Sequence, residues 1–549
     1  MFRSLRHWLA PFRSLRSSQV QAGPPRWSRR RSTRRCMPLE QLEGRLVLSA
    51  FHVTTLADGV AGSLRAAITQ ANTHRGADII DFQPGLTGTI ALTGDELDIT
   101  DDLTIDGPGA DKLTVSGSNI SRVFKVESGE TVSISGLTIT GGNAGTGNGG
   151  GIDNFGALTV GSVVLSGNAA TNGGGLANQN GATVTVRDSV FAGNSAAADG
   201  GHGDGGGLAN ENGGAATVTG STFTGNAATG HGGGIYDSAF TFINEAAGDP
   251  GGVVKGPVGT VTVRDSTFVG NSGSIGGGLH NDGTATVTGS IFTGNSASFG
   301  GGLYNVPAAV TVNGSSTVRG SGTATVTDST FAGNSASAGG GIDNDFGGTM
   351  KVSDGTFTGN FASLGGGLRN DGTATVRDST FAGNSADGGG GLANGGHSTT
   401  TATVIDSTFA GNAASSIGGG LLNFGGATAT VIESTFAGNA ATLLGGGIDN
   451  FFGSILTVID SAFAGNAASS GGGIVNFGTV MVIDSTFSGN AATSHGGGID
   501  NFRTAAVTNS TFTGNSAGSG NGGLNNEVGG VLTQSDNRFV DDQLADVFP

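Results

Sequence analysis

The sequence predicts an all-β chain wound as a single right-handed parallel β-helix, a three-sheet solenoid with a short N-terminal capping helix. Three observations predict it. Phe-x-Gly-Asn recurs at Phe191, Phe223, Phe268, Phe292, Phe331, Phe357, Phe381, Phe409, Phe436, Phe463, Phe487 and Phe512, mostly 24 to 28 residues apart. A second landmark alternates with it: Gly-Gly-Gly, then Ile or Leu, one residue, and Asn, as at Gly173–Asn178, Gly365–Asn370 and Gly445–Asn450. A third, Val-x-Asp-Ser-Thr-Phe, runs into the first, as at Val376–Phe381 and Val482–Phe487. A fixed period of this length marks a solenoid, in which each unit buries its apolar side only against its neighbours.

Local chemistry selects the kind of solenoid. Each unit carries Val/Thr/Ile/Phe runs of three to five residues separated by Gly and Asn, which are strand and turn signals. No unit holds a ten-residue helical pattern, so helical and leucine-rich repeats are excluded. With 107 Gly among 549 residues a helical protein is untenable, since each helical Gly costs ~1 kcal/mol relative to Ala. Ten Pro are too few for collagen, and Cys36 alone cannot staple a scaffold. A coil of ~24 residues accommodates three short strands and three turns, with neighbouring strands ~4.8 Å apart. Repetition then piles Phe on Phe and Asn on Asn. The Asn row (Asn384, Asn412, Asn439, Asn466, Asn490, Asn515) is a structural ladder, because an amide both donates and accepts. The Gly triplet suits positive φ and close backbone approach. Leu165 opens the Phe series and Phe539 closes it.

Charge divides the chain. Residues 1–50 hold 11 Arg against Glu40 and Glu43, a net +9, whereas the whole chain carries -17. The first 50 residues therefore read as a basic leader or export segment outside the fold. An acidic body of this size repels phosphate backbones, so no nucleic-acid partner is expected. No apolar stretch of 18 residues exists, so no transmembrane helix is expected either. Residues 51–148 form the N-terminal cap and first coils, with 63–72 as an amphipathic helix presenting Leu64, Ala67, Ile68 and Ala71 on one face. Residues 149–540 are the repeats, and 541–549 a C-terminal tail. Residues 527–549 are expected to cover the last coil.

These motifs resemble known families. Phe-x-x-Asn paired with Gly-Gly-[Ala/Gly]-[Ile/Leu] resembles the repeat of polymorphic outer-membrane proteins, within the pectin-lyase-like class. Gly62–Asn72, GSLRAAITQAN, resembles the CSLREAI segment of exported bacterial β-helix proteins, with Gly62 for Cys and Ala66 for Glu. Residues 39–50, LEQLEGRLVLSA, resemble the LEPR-XLL leader through Leu42, Glu43, Arg45 and Leu48, with Gly44 and Val47 as departures. The resemblance implies export, with secretion or surface location and outer-membrane association among its routes.

Candidate sites are sparse. Gly201-His202-Gly203 resembles the Gly-His-Gly of polygalacturonases, with Asp199 and Asp204 as nearby carboxylates, but the family's Asp-Asp and Arg-x-Lys motifs are missing from the repeats. Tyr236 and Tyr304, the only tyrosines, each follow a Gly triplet and precede insertions at roughly 238–259 and 306–322, so those lips are candidate ligand sites. Phe424, Phe451, Phe477 and Phe502 share a slot that holds Asp or Glu in other coils, which predicts an accessible apolar stripe. Asp378, Asp406, Asp460 and Asp484 occupy one slot. They read as an exposed Asx-turn row, with a Ca²⁺ ladder as the alternative and no other cofactor expected. The functional expectation is an exported structural or adhesive binding rod with an unidentified polymer or protein partner. A polysaccharide lyase or hydrolase on the same scaffold is its rival.

Overall fold

The computed structural model describes residues 49–542 apart from 198–202, 239–240, 244–252, 256–257, 308, 313–315 and 320–321; for 241–243, 253–255, 309–312 and 316–319 it describes the backbone alone. The basic leader and residues 543–549 lie outside the described residues. The described body is a parallel β-solenoid of about 17 turns, with three long sheets of 18, 17 and 16 strands. One coil illustrates the rest. Leu368–Asn370, Thr373–Arg377 and Thr380–Ala382 each pair in register with the matching strand of the next coil: Leu368 on Leu392, Val376 on Val404, Phe381 on Phe409. Short strands with period-two burial supply the inward face.

The core is a set of columns. Phe191 to Phe539 form one continuous pile in which successive rings lie 4.5 to 5.2 Å apart and within 16° of parallel. Each offset pair is worth ~0.5–1.5 kcal/mol beyond burial. Beside it runs the Asn column. Asn384 Nδ2 donates to Asn412 Oδ1 at 2.9 Å and to the Phe357 carbonyl at 3.0 Å, while the Asn384 backbone N–H also donates to Asn412 Oδ1 at 3.0 Å. One fully buried amide thus ties three coils. The column ends at Asp542, which accepts from the Asn515 side chain at 2.8 Å. A carboxylate suffices there, because the terminal member has only to accept.

Three left-handed backbone positions turn each coil. They are the Asp slot (Asp378, φ 49°), the Gly of Phe-x-Gly-Asn (Gly383, φ 61°) and the first Gly of the triplet (Gly365, φ 67°). Asp, Asn and Gly tolerate that region best, so Gly220, Gly289 and Asn509 can replace the Asp without disturbing the turn. The third Gly of the triplet is required by space. A Cβ on Gly367 would sit 2.6 Å from the Gly391 carbonyl and 2.7 Å from the Phe381 ring.

Helix Leu64–Ala71 is capped by Ser63, whose side chain accepts from the Ala66 N–H at 3.2 Å, and it buries Leu64, Ala67, Ile68 and Ala71 in the same core. At the other end the chain departs from expectation. Val531–Ser535 and Arg538–Val540 are a further coil rather than a cover, with Val531 exposed and Leu532 and Phe539 only partly buried. Enough of the repeat spacing persists to pair both strands, so these residues wind on.

Candidate functional site

The strands that carry [Ile/Leu]-x-Asn point Ile or Leu and Asn inward, so the middle residue faces outward. In register, that row reads Asp153, Ala177, Ala209, Tyr236, His280, Tyr304, Asp343, Arg369, Ala393, Leu422, Asp449, Val475, Asp500 and Asn525. Most of these outward residues are nevertheless buried, and Asp343, Asp449 and Asp500 are fully so. They form the floor of a trough. One wall is the residue before the Gly triplet, which bridges coil to coil at His231, Ile275, Phe299, Ala338 and Leu364. The other is the residue after the strand Asn, occupied by Glu211, Asp282, Asp345, Asp371 and Phe424 in their respective coils.

From Asp204 to His397 the trough is packed with ionisable and aromatic groups. His231 Nδ1 lies 2.8 Å from Asp204 Oδ1, and the His231 N–H donates to the same oxygen at 2.7 Å. Burial works to raise Asp204, but these bonds and the His231 charge hold it below the ordinary carboxylate range. Burial opposes the His231 charge, yet the Asp204 bond and the nearby Asp282 raise it above an ordinary imidazole. His231 packs on Tyr236 and His280, with centroids 5.8 and 4.8 Å away, and His280 on Tyr304 at 5.2 Å. His280 Nε2 meets Asp282 at 2.8 Å. Glu211 is pushed up to about 7 by burial and then by the charges of Asp204 and Asp153.

The next coils share one guanidinium among three carboxylates. Arg369 reaches Asp343 at 2.9 Å, Asp371 at 3.0 Å and Asp345 at 3.5 Å. The Tyr304 hydroxyl donates to Asp345 at 2.7 Å, and His397 meets Asp371 at 2.8 Å. Burial drives Asp343 up to about 7 despite Arg369, whereas the Tyr304 hydroxyl, the Phe346 N–H and Arg369 outweigh burial at Asp345 and hold it low. Nearer the N-terminal end Arg122 joins Glu96 at 2.7 Å and Asp153 at 3.2 Å beside a cleft of about 490 Å³.

His202 and Asp199 lie outside the described residues, and only Asp204 of that trio is placed. Tyr236 and Tyr304 stand in one row with His280 between them. Phe424, Phe451, Phe477 and Phe502 are half-buried in the second wall; Phe477 stacks on Phe502 at 4.4 Å, and the exposed ring there is Phe452. Asp378, Asp406, Asp460 and Asp484 lie on the positive-φ turns. Among the described residues, the three-residue His/carboxylate grouping is elsewhere, at His495, Asp500 and Glu527. His280, Arg369, Asp343, Asp345, Asp371 and Glu211 escape a motif search. Reading the x of [Ile/Leu]-x-Asn down the repeats finds the floor residues, because Tyr, His, Tyr, Asp and Arg follow one another without a break, whereas the other polar members of the row, Asp153, Asp449 and the Asp500–Asn525 pair, each border Ala, Leu or Val.

No helix among the described residues is long and apolar enough to cross a membrane. No protein-family model matches the chain, and no curated protein matches it. Solved structures do. The mannuronan C-5 epimerase AlgE6 A-module of Azotobacter vinelandii is 11% identical, over 88% of this chain and 94% of that one, with a TM-score of 0.29. Pectate lyase Pel9A is 12% identical over 72% and 75%, TM-score 0.27. PfbA, a surface adhesin of Streptococcus pneumoniae, is 12% identical over 77% and 87%, TM-score 0.31.

Proposed function

We propose that the protein is an exported, cell-surface or extracellular binding rod, and that the trough between Asp204 and Asp371 is where an extended polymer docks. One observation carries this reading. In successive coils the repeat is broken at the same floor slot by Tyr236, His280, Tyr304, Asp343 and Arg369, next to both insertions. Burying ionisable groups works against stability unless they are paired, so an unbroken run of them over five coils marks a site, where Asp449 and Asp500 are each the sole ionisable floor residue among their neighbours. Carboxylates outnumber cations in the trough, which favours a neutral hydroxyl-rich or cationic polymer over a polyanion. Co-sedimentation with insoluble neutral glycans, chitosan and calcium pectate tests it. Binding to one of the first two, weakened at least tenfold by His280→Ala or Tyr304→Phe with an unchanged melt, supports the assignment. Equal binding by the variants, or binding to pectate alone, overturns it.

A second reading has its own observation. Glu211, raised to about 7 by burial and then by the Asp204 charge, lies in one coil with Asp204, which is held low. A carboxyl that keeps its proton beside an ionised one is what acid-base cleavage of a glycosidic bond requires. Release of reducing ends that disappears in Glu211→Gln favours the enzyme; bound glycan that survives intact favours the rod.

A further inference from the structure

The third grouping of ionisable side chains lies five coils beyond Arg369, near the last coil. His495 precedes the Gly496–Gly498 triplet, Asp500 is the floor residue of Ile499–Asn501, and Glu527 follows Leu524–Asn526 in the next coil. The two walls and the floor of the trough thus each contribute one side chain. One ligand atom from each lies within 4.8 Å of the other two.

We propose that His495, Asp500 and Glu527 bind a divalent transition-metal ion of the Zn²⁺ class. Geometry separates this grouping from the other histidine–carboxylate contacts of the trough. His231–Asp204, His280–Asp282 and His397–Asp371 are closed at 2.8 Å. His495 Nδ1 stands 3.6 Å from Glu527 Oε1, too far for a hydrogen bond. Two ligands on one ion at ~2.0–2.2 Å sit about that far apart in tetrahedral geometry. Asp500 is fully buried; Asn525 and Ser470 act on its carboxyl group, but its Oδ2 makes no hydrogen bond of ordinary geometry. A buried carboxylate oxygen without a donor is costly, and a cation satisfies it. The supporting shell is in place. Asn525 Nδ2 donates to Asp500 Oδ1 and to Glu527 Oε1, both at 2.8 Å, orienting the two carboxylates. Ser519 Oγ lies 3.2 Å from His495 Nε2 and leaves Nδ1 to face the carboxylates. Imidazole with carboxylates suits Zn²⁺, Co²⁺ or Ni²⁺ better than Ca²⁺, which prefers six to eight oxygens. Three protein ligands leave a fourth position for water or a bound group.

Titration of the whole chain with Co²⁺ in excess Mg²⁺ tests the site, because Mg²⁺ screens diffuse binding to an acidic surface. The expected result is one visible d–d band saturating at one equivalent, displaced by Zn²⁺. His495→Ala, Asp500→Asn and Glu527→Gln should each weaken binding at least tenfold while keeping the thermal melt of the metal-free chain. Asp449→Asn, a buried floor residue without a histidine opposite, should leave the titration unchanged. No saturable band, or a band unaffected by His495→Ala, overturns the proposal.

Discussion

Asp237 interrupts the second amide ladder, and its replacement tests how the ladder works. Asn154, Asn178 and Asn210 pass one hydrogen bond per coil, ending with Asn210 Nδ2 on Asp237 Oδ1. The next member, Asn281, donates onward to Asn305 at 2.7 Å. Between them, Asp237 Oδ2 and Asn281 Oδ1 are both buried and both lack partners, although the two residues pair in register. One proton reconciles two facing acceptors, so Asp237 is expected to be a neutral acid that donates to Asn281. Burial, opposed in part by the Asn210 bond, raises its pKa well above the ordinary value, in agreement. The folded state therefore holds a proton that the unfolded chain releases above pH ~3.9. Because the folded pKa is raised, this residue's contribution is complete below the unfolded pKa and is lost as pH rises towards the folded one. The slope is ~1.4 kcal/mol per pH unit. Asp237→Asn supplies a permanent donor in the same shape. Its advantage over the wild type should grow by about that slope between pH 5 and pH 6, because other groups titrate alike in both chains and cancel. Urea unfolding followed by far-ultraviolet circular dichroism reads this difference. A variant less stable than wild type, or a difference that does not change with pH, would refute the reasoning.

Other expectations follow from the same geometry. Phe436→Ala opens a hole in the ring column and should cost ~3–5 kcal/mol by chemical denaturation; a loss under 1 kcal/mol would mean that the column relaxes freely. Arg369→Met leaves Asp343, Asp345 and Asp371 without their shared cation and should destabilise by ~3–5 kcal/mol at pH 7, with part of the loss recovered at pH 5, where Asp343, at about 7 with Arg369 present and higher without it, is protonated in both chains. Asp449 sits between Leu422 and Val475 with neither oxygen bonded, so Asp449→Val should stabilise the fold by ~1–3 kcal/mol, read as a higher denaturation midpoint. Glu433 at φ 50° occupies a slot that Gly fills in other coils; Glu433→Gly should stabilise slightly and Glu433→Val should cost ~1–2 kcal/mol in a thermal melt.

The coil was legible because its chemistry repeats. Phe381, Gly383, Asn384 and the triplet Gly365–Gly367 each answer to a local demand that recurs every turn: a ring pile, a left-handed turn, an amide ladder, a carbonyl too close for a Cβ. The capping helix was legible for the same reason, since its four buried residues lie on one 3.6-residue stripe. The trough was only half legible. Tyr236 and Tyr304 stood out as the only tyrosines, yet His280 lies between them by register and 44 and 24 residues away in sequence. Arg369 draws Asp343 and Asp345 from the previous coil, a pairing that depends on which residue of a three-residue strand faces outward. The four-Phe slot is harder to read, because a position that accepts Asp and Glu need not be open to solvent. In the structure that wall is half-buried, and its acids are partnered across the floor by Arg369 and His280.

Successive repeats stack one coil at a time, so that Tyr236, His280 and Tyr304 share a row. In a Cys36→Ser background, His280→Cys with Tyr304→Cys places two thiols one strand spacing apart, ~4.8 Å, within disulfide reach. Tyr236→Cys with Tyr304→Cys places them at twice that, beyond it. Mild oxidation followed by peptide mapping should close the first pair and leave the second open; an open first pair, or a closed second, would contradict the stacking.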